Sequence, residues 1–309
     1  RDAWDHDVAM EWMAEERYLA ACRRNVEQFW PDAALEVRDG RGELVGAALS
    51  EDWGRLGDIT SAAVIEPDAS ARGVIRAREE GVLAGLGFAQ TAFTLADKRL
   101  KLDMHAADGE NLSAGTDVMT IDGPAITLLS AERVALNFLG HMSGIASQTA
   151  QLNALVAHTS ARICDTRKTT PGLRAVEKYA VRAGGGFNHR FGLDDAILIK
   201  DNHIKASRNL KKLVSRASKS TKVVTVEIEN IGQLKKILGL KFKRILFDNM
   251  SISQLKKCLK LCNKKYETEY SGNANLGNIK KISRTGVNRI SVGAITHSAK
   301  TFDTSLLLG

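Results

Sequence analysis

Arg167 and Lys168 stand inside the segment Asp165-Thr166-Arg167-Lys168-Thr169-Thr170-Pro171-Gly172, where two adjacent cations and three hydroxyls lead into an expected helix N-terminus. Free N–H groups and the helix dipole at such an end favour an anion. A second segment, Gly184-Gly185-Gly186-Phe187-Asn188-His189-Arg190, couples a glycine run to an imidazole and a guanidinium. The glycines permit close backbone approach to a ligand, and Arg190 suits bidentate carboxylate binding. Lys200 closes an expected strand, and Arg133 lies early in an expected long helix. Against these cations stand Glu227 and Asp248, each at an expected strand end. They either neutralise the cations or hold Mg2+, which takes one or two carboxylates plus substrate phosphates. The bland alternatives are that Arg167 pairs with Asp165 and that the glycine run only ends a helix. The histidines show no zinc-ligand spacing. There is no nucleophile elbow, and Cys164 falls inside an expected strand, so a Ser-His-Asp or Cys-His hydrolase is disfavoured. The chemistry is that of a polyanionic substrate stabilised electrostatically, with Mg2+.

These residues are positioned by a repeat. From about residue 160, short β-branched runs alternate with amphipathic stretches, the pattern of successive βα units. Strands are expected at Ala161–Asp165, Ala196–Ile199, Val223–Ile228, Arg244–Phe247, Glu267–Tyr270 and Arg289–Val292. Helices are expected from Pro171 to Gly184, around Leu210–Ala217, over Gln233–Leu238, over Ser253–Cys262 with Ser251 or Ser253 as cap, and near Leu276–Arg284. Charged or glycine positions recur at the C-terminal ends of these strands: Arg167-Lys168, Lys200-Asp201-Asn202, Glu227 with Glu229, Asp248-Asn249, Ser271-Gly272 and Gly293. That rim is where an α/β barrel builds its active site. Residues 1–130 read as a separate α+β domain, with strands at Ala71–Arg78, Asn111–Asp117 and Asp117–Ile121 among glycine turns. Ser130 is the expected cap of a helix running to about His158. Its row Gly140, Ser143, Gly144 and Ser147 predicts tight packing, against a second chain or within this one. The division is thus 1–130, a barrel over 131–295, and a tail over 296–309 expected to return to the N-terminal domain.

Composition bounds the class. The chain has 309 residues, 44% of them apolar, with 44 basic and 36 acidic side chains. That apolar content supplies a core, which excludes wholesale disorder. No run approaches the ~18 apolar residues of a membrane span. Arg1-Asp2-Ala3-Trp4-Asp5 lacks the features of a secretory signal. The four cysteines, Cys22, Cys164, Cys258 and Cys262, form no CxxC pair, so a reducing cytoplasm is expected. Charge is unevenly spread. Residues 206–309 carry 21 basic and 6 acidic side chains, a net of +15, whereas residues 1–205 are net −7. The paired lysines of the second part read as solvated helix faces. A nucleic-acid surface needs aromatic or Arg partners along a basic stripe, and Phe242, Phe247, Tyr266, Tyr270 and Phe302 sit mostly in apolar stretches. Neither nucleic acid nor membrane is an expected partner.

The segments 165–174, 184–190 and 197–203 (Ile-Leu-Ile-Lys-Asp-Asn-His) together resemble the quinolinate phosphoribosyltransferases, the carboxylating nicotinate-nucleotide pyrophosphorylases of NAD synthesis. Glu132–Phe138, Val226–Asn230, Leu246–Asn249, Ser271–Asn273 and Ser291–His297 extend the resemblance. Glu51-Asp52, Gly57–Ser61 and Arg78–Gly85 are similar to the family's N-terminal domain. Residues 1–30 and the Lys-rich stretches around 206–222 and 251–268 match nothing in it.

The resemblance implies a type II phosphoribosyltransferase fold, an N-terminal α/β sandwich plus a C-terminal α/β barrel, paired as a homodimer. It implies formation of nicotinate mononucleotide, pyrophosphate and CO2 from quinolinate and phosphoribosyl pyrophosphate (PRPP) with Mg2+. Arg167, Arg190 and Lys200, helped by His189, would hold the quinolinate carboxylates, and Arg133 would reach in from the partner subunit. Thr166, Lys168, Ser271, Gly272, Asn273, Val292, Gly293, Ala294 and His297 would follow the phosphoribosyl and pyrophosphate groups. Glu227 and Asp248 would face the ribose and its Mg2+, with Lys168 also catalytic and Glu229 the rival for Glu227. Three other readings share features of the chain: a nicotinate phosphoribosyltransferase, a paralogue associated with molybdenum transport, and a non-catalytic basic protein that binds anions or nucleic acid.

Overall fold

The computed structural model describes residues 33–309; Cys22 and the unassigned stretch 1–30 lie outside the described residues. The chain forms two compact units. The first comprises the residues up to Ser147 together with Thr170–Gly184 and Lys300–Gly309, and the second comprises Gln148–Thr169 and Gly185–Ala299.

In the first unit, helices α1 (Ala33–Trp53) and α2 (Ile59–Val64) precede the strands β1 (Ser70–Ala77) and β2 (Gly81–Val82). Helix α3 (Leu86–Ala96), strands β3 (Lys101–Met104), β4 (Asn111–Leu112) and β5 (Asp117–Pro124), and helix α4 (Ala125–Val156), whose residues from Gln148 on belong to the second unit, follow. Strands β3, β5, β1 and the C-terminal β12 (Thr304–Leu308) make an antiparallel sheet in the order β12-β1-β5-β3. Strand β1 alternates, with Gly73, Ile75 and Ala77 buried between more exposed neighbours, so one face meets the core. On α3 the buried residues Leu86, Ala89 and Phe93 recur at helical spacing, and Phe88 stacks on Phe138 at 5.1 Å.

Two sequence expectations change here. Helix α4 starts five residues before Ser130, directly after Pro124, because a proline preceding the first turn sacrifices no amide and has a preset φ. Ser130 therefore lies inside the helix, and its hydroxyl donates to the Ile126 carbonyl at 2.8 Å. Gly115, at φ 91°, turns the chain and confines the expected strand over Asn111–Asp117 to Asn111–Leu112. Strands β3 and β12 have no counterpart in the sequence reading, because β3 is largely exposed and β12 shows no alternation. The small-residue row packs within this chain: Ser143 Oγ bonds the Ala84 backbone and Ser147 Oγ accepts from the Val82 amide. A Cβ on Gly144 would overlap the Lys300 carbonyl.

The second unit is a parallel α/β barrel of six strands. They are β6 (Arg162–Cys164), β7 (Ile197–Ile199), β8 (Val224–Ile228), β9 (Arg244–Asp248), β10 (Glu267–Ser271) and β11 (Arg289–Ser291), paired in the order β6-β11-β10-β9-β8-β7. Phe187 adds a single parallel bridge beside Cys164. Strands β8 and β9 bury residues on consecutive positions, as strands covered on both faces must. Helix α5 (Arg174–Ala183), expected as the first crossover, belongs to the first unit. The remaining helices are α6 (Asp201–Ser207), α7 (Leu210–Ala217), α8 (Ile231–Ile237), α9 (Ile252–Cys262), α10 (Ile279–Ser283) and α11 (Ala294–His297). Asn209, Asn230 and Ser251 each accept the amide three residues on, and such a cap is worth about 1 kcal/mol. Of the two serines considered, Ser251 is the cap, in a capping box with Gln254. Among the described residues, no helix is long and apolar enough to cross a membrane.

Candidate active site

The carboxyl ends of the six parallel strands surround a pocket of about 750 Å³. Each strand end delivers its expected rim residues on its own loop. After β6, Thr166 Oγ1 accepts from the Lys168 amide at 3.0 Å, while Thr296 Oγ1 donates to the Lys168 carbonyl at 2.7 Å. The loop holding Lys168 is thereby tied to α11. Arg167 contributes a buried Nε with no hydrogen-bond partner among the described residues.

Asp165 is fully buried and accepts the His189 amide at 2.7 Å. It thus anchors the His189-Arg190 segment through backbone contact. The Arg190 amide donates to His189 Nδ1 at 2.8 Å, and its Nη1 donates to the Ala196 carbonyl at 3.0 Å. Its Nε, like that of Arg167, is buried and unmatched among the described residues. Burial, and then the nearby charge of Arg167, lower the Arg190 pKa from its ordinary value. Two guanidinium groups with unmatched donors and mutual repulsion are what an anion would relieve.

Across the pocket, Lys200 Nζ lies 3.5 Å from Glu227 Oε2. Burial raises the Glu227 pKa; Lys200 opposes that shift and Asp248 adds to it. Glu227 lines the pocket, and its sequence rival Glu229 is exposed and does not. Asn249, next to Asp248, adopts φ 50° and donates from Nδ2 to Asp248 Oδ2 at 3.1 Å. Its amide donates to the Ser271 carbonyl at 2.8 Å. Gly272 is required here: it sits at φ 113°, and a Cβ would overlap the Asn249 side chain. At Gly293 a Cβ would come within 3.2 Å of both the His297 ring and the Lys168 side chain.

The pocket therefore brings together Thr166, Arg167, Lys168, His189, Arg190, Lys200, Glu227, Asp248, Ser271, Gly272, Asn273, Gly293, Ala294 and His297. Two expected residues are not among its lining. Val292 is buried and donates its amide to the Cys164 carbonyl at 2.9 Å. Arg133 is an exposed residue of α4, in the first unit. The helix end expected after Thr170 does not line the pocket either, and the Thr170 amide is taken by the Glu177 carboxylate at 3.2 Å.

The sequence reading missed Glu269 and Ser291. Glu269 is fully buried yet lines the pocket, accepting from Ser291 Oγ and lying 3.3 Å from His189 Nε2. Burial opposes its charge, but His189, Ser291 and Arg244 outweigh it and hold its carboxyl below the usual range. The signal was present as Glu267 and Glu269 two apart on a strand, with Arg289 opposite Glu269 in register.

Two of the three pocket carboxylates, Glu227 and Asp248, end neighbouring strands, and the third, Glu269, is already bound by Ser291 and His189. Among the described residues no cluster of three or more His, Cys, Asp or Glu could hold a metal alone. Two carboxylates fit Mg2+, which takes its other ligands from water and substrate oxygens.

A parallel barrel whose strand ends frame a cation-rich pocket has the layout of an enzyme that acts on anionic substrates. Residues 145–307 match the C-terminal domain of quinolinate phosphoribosyl transferase and residues 58–143 its N-terminal domain, so the chain belongs to the quinolinate phosphoribosyltransferase family. It is 41% identical over 267 residues to the probable carboxylating nicotinate-nucleotide pyrophosphorylase of Bacillus subtilis, covering 85% of this chain and 92% of that one. It is 40% identical over 285 residues to the decarboxylating, mitochondrial quinolinate phosphoribosyltransferase 2b of Nicotiana tabacum, covering 85% and 81%. The solved nicotinate-nucleotide pyrophosphorylase of Francisella tularensis is similar with a TM-score of 0.82 and 38% identity, covering 87% and 96%.

Proposed function

We infer that this chain is a decarboxylating pentosyltransferase that joins quinolinate to the phosphoribosyl group of PRPP, giving nicotinate mononucleotide, pyrophosphate and CO2 in the de novo route to NAD. Beyond family membership, the observation that carries this reading is the pair of buried, unmatched guanidinium nitrogens on Arg167 and Arg190. They stand with Lys200 in one pocket, a set suited to a dicarboxylate.

In this reading Arg167, Arg190, His189 and Lys200 bind and orient quinolinate so that its ring nitrogen faces the anomeric carbon. Thr166, Lys168, Ser271, Gly272, Asn273, Gly293, Ala294 and His297 hold the phosphoribosyl and pyrophosphate groups. As the C–O bond to pyrophosphate breaks, positive charge develops on the sugar. Glu227 and Asp248 stabilise it, while Lys168 stabilises the leaving group. The quaternised ring nitrogen then accepts the electron pair left when the 2-carboxylate departs as CO2. Glu227 and Asp248 would also hold Mg2+, whose chemistry is to neutralise pyrophosphate.

Assembly as a homodimer with Arg133 completing the partner's site is part of the same proposal, supported by the exposure of Arg133 on α4. The cytoplasm is the proposed location, supported by the free, buried Cys164, Cys258 and Cys262. The direct test is nicotinate mononucleotide and CO2 formation from quinolinate plus PRPP, with and without Mg2+. No product under either condition would overturn the reading. For the shared site, inactive Arg133→Ala and Lys200→Ala proteins are mixed and reassociated. Recovery approaching about a quarter of wild-type activity is expected from statistical pairing, and demonstrated heterodimers without recovery would remove Arg133 from the site.

A further inference from the structure

The opposite end of the barrel holds a second hollow that this chemistry does not use. It is open to solvent, has a volume of about 1370 Å³, and its lining includes Lys243, Lys256, Lys257, Lys260, Lys264 and Lys265. All six lysines are exposed. The acidic residue in its wall is Glu267, whose carboxylate is already bound by Arg244 at 2.9 Å and faces Arg289 at 3.7 Å. Among the described residues no carboxylate pairs with the six ammonium groups. Asn263 and Lys264 turn the chain through consecutive left-handed residues, at φ 44° and 57°, a conformation that costs non-glycine residues energy. This turn leads from the end of α9 to Lys265 and β10.

The wall also carries an aromatic pair. Phe242 stacks on Tyr266 with ring centroids 4.6 Å apart, and Tyr266 is fastened by accepting from the Gly239 amide and donating to the Leu240 carbonyl. Phe242 itself is half-buried. Lysines around an aromatic platform, in a hollow rather than along a stripe, suit a compact polyanion with a flat ring.

We propose that this hollow is a second anion site, separate from the reaction pocket, that binds a nucleoside triphosphate. The phosphates lie among the six lysines and the base stacks on Phe242. A single phosphate would leave most of the ammonium groups unmatched, whereas a triphosphate carries about four negative charges. A nucleic acid would require the basic surface to continue as a groove along its backbone.

The test is titration calorimetry with ATP on the whole enzyme, its reaction pocket first saturated with nicotinate mononucleotide, at about 0.1 M salt. The wild type should bind ATP. The triple variant Lys257→Glu, Lys260→Glu, Lys265→Glu should bind it roughly tenfold or more weakly, with turnover unchanged. Phe242→Leu should weaken ATP binding but leave the affinity for inorganic tripolyphosphate unaltered, which separates stacking from misfolding. No ATP binding up to about 1 mM, or equal binding by the triple variant, would overturn the proposal. So would a short RNA that binds through the same lysines more than about tenfold tighter than ATP, because it would assign this end to nucleic acid.

Discussion

The two ends of the barrel are both rich in cations, and they treat charge in different ways. At the carboxyl ends of the strands, Arg190 and His189 are held by backbone and imidazole contacts, and Lys200 faces Glu227 at 3.5 Å. At the amino ends, six exposed lysines surround a hollow whose one acidic side chain is bound elsewhere. Between the ends lies a balanced layer of two arginines and two glutamates, with Arg289 and Glu269 buried and Arg244 and Glu267 half-buried. The contrast separates positioned charge from accumulated charge. A cation held from several sides can select one ligand geometry, whereas a cluster of flexible ammonium groups selects mainly for total negative charge.

Removing the layer between the ends should have the largest effect. Glu269→Ala leaves Arg244 and Arg289 short of a buried counter-charge, and breaking such a network costs about 3–5 kcal/mol. Urea unfolding should show this loss. Glu269→Gln should retain more stability but release His189, raising KM for quinolinate. An unchanged unfolding midpoint in Glu269→Ala would show that the layer does not couple the strands.

Next comes Asp248→Asn at the rim. A carboxylate opposite developing positive charge acts in the transition state, so kcat and kcat/KM should fall together by roughly 10²–10³. Asn249, which donates to Asp248 Oδ2, would lose an acceptor of full charge. An effect confined to KM for quinolinate would move Asp248 out of this role. Arg190→Ala should be smaller and of the opposite kind. Loss of one charge-assisted bond to a dianion costs about 1.5–3 kcal/mol, roughly 10–150-fold in quinolinate affinity by calorimetry.

The pH profile sharpens the same rim. Burial raises the Glu227 pKa above its ordinary value, so its carboxylate accepts a proton at a higher pH than an exposed glutamate does. If the ionised form is required, kcat should fall as pH drops through that raised pKa, and the acid limb should lie at higher pH than an exposed glutamate would give. Glu227→Gln should lower the plateau and abolish the limb. A limb that persists in Glu227→Gln would assign it to another group.

The rim was legible in the sequence because most of the barrel strands are short, largely apolar runs followed by a charge or a glycine, so the run marks the strand and its end marks the rim. The strands expected at Val223–Ile228 and Glu267–Tyr270 differ from β8 and β10 by a residue at one end. What was hidden lies where pattern and environment diverge. Glu269 reads as a polar residue on a weak strand, and only the arrival of His189, Arg244 and Arg289 from distant segments makes its burial tolerable. Helix α6 was missed because Asp201 and Asn202 read as rim residues, although they also open a helix. The Lys-rich segments read as solvated faces one helix at a time. Their convergence on one hollow depends on the βα winding that brings Lys243 beside α9.

The amino end yields the smallest expected effect, and its sign distinguishes accumulated from positioned charge. Lys256 and Lys260 stand four residues apart on α9, so they are neighbours of like charge on one face. Such a pair destabilises a helix by about 0.2–0.5 kcal/mol, and an acid four residues before a lysine stabilises it by a similar amount. Lys256→Glu should therefore raise stability by about 0.4–1 kcal/mol, the sum of repulsion removed and attraction gained. In thermal unfolding that is an increase of about 1–4 °C for a domain of this size. The gain should shrink in about 1 M salt, where the Debye length falls to about 3 Å. Turnover should stay within about twofold, because an exposed charge at the far end of the barrel acts on the pocket only through screened solvent. A lower melting temperature for Lys256→Glu in dilute buffer would mean that the lysines at this end are held in place by contacts of their own, as the cations of the rim are.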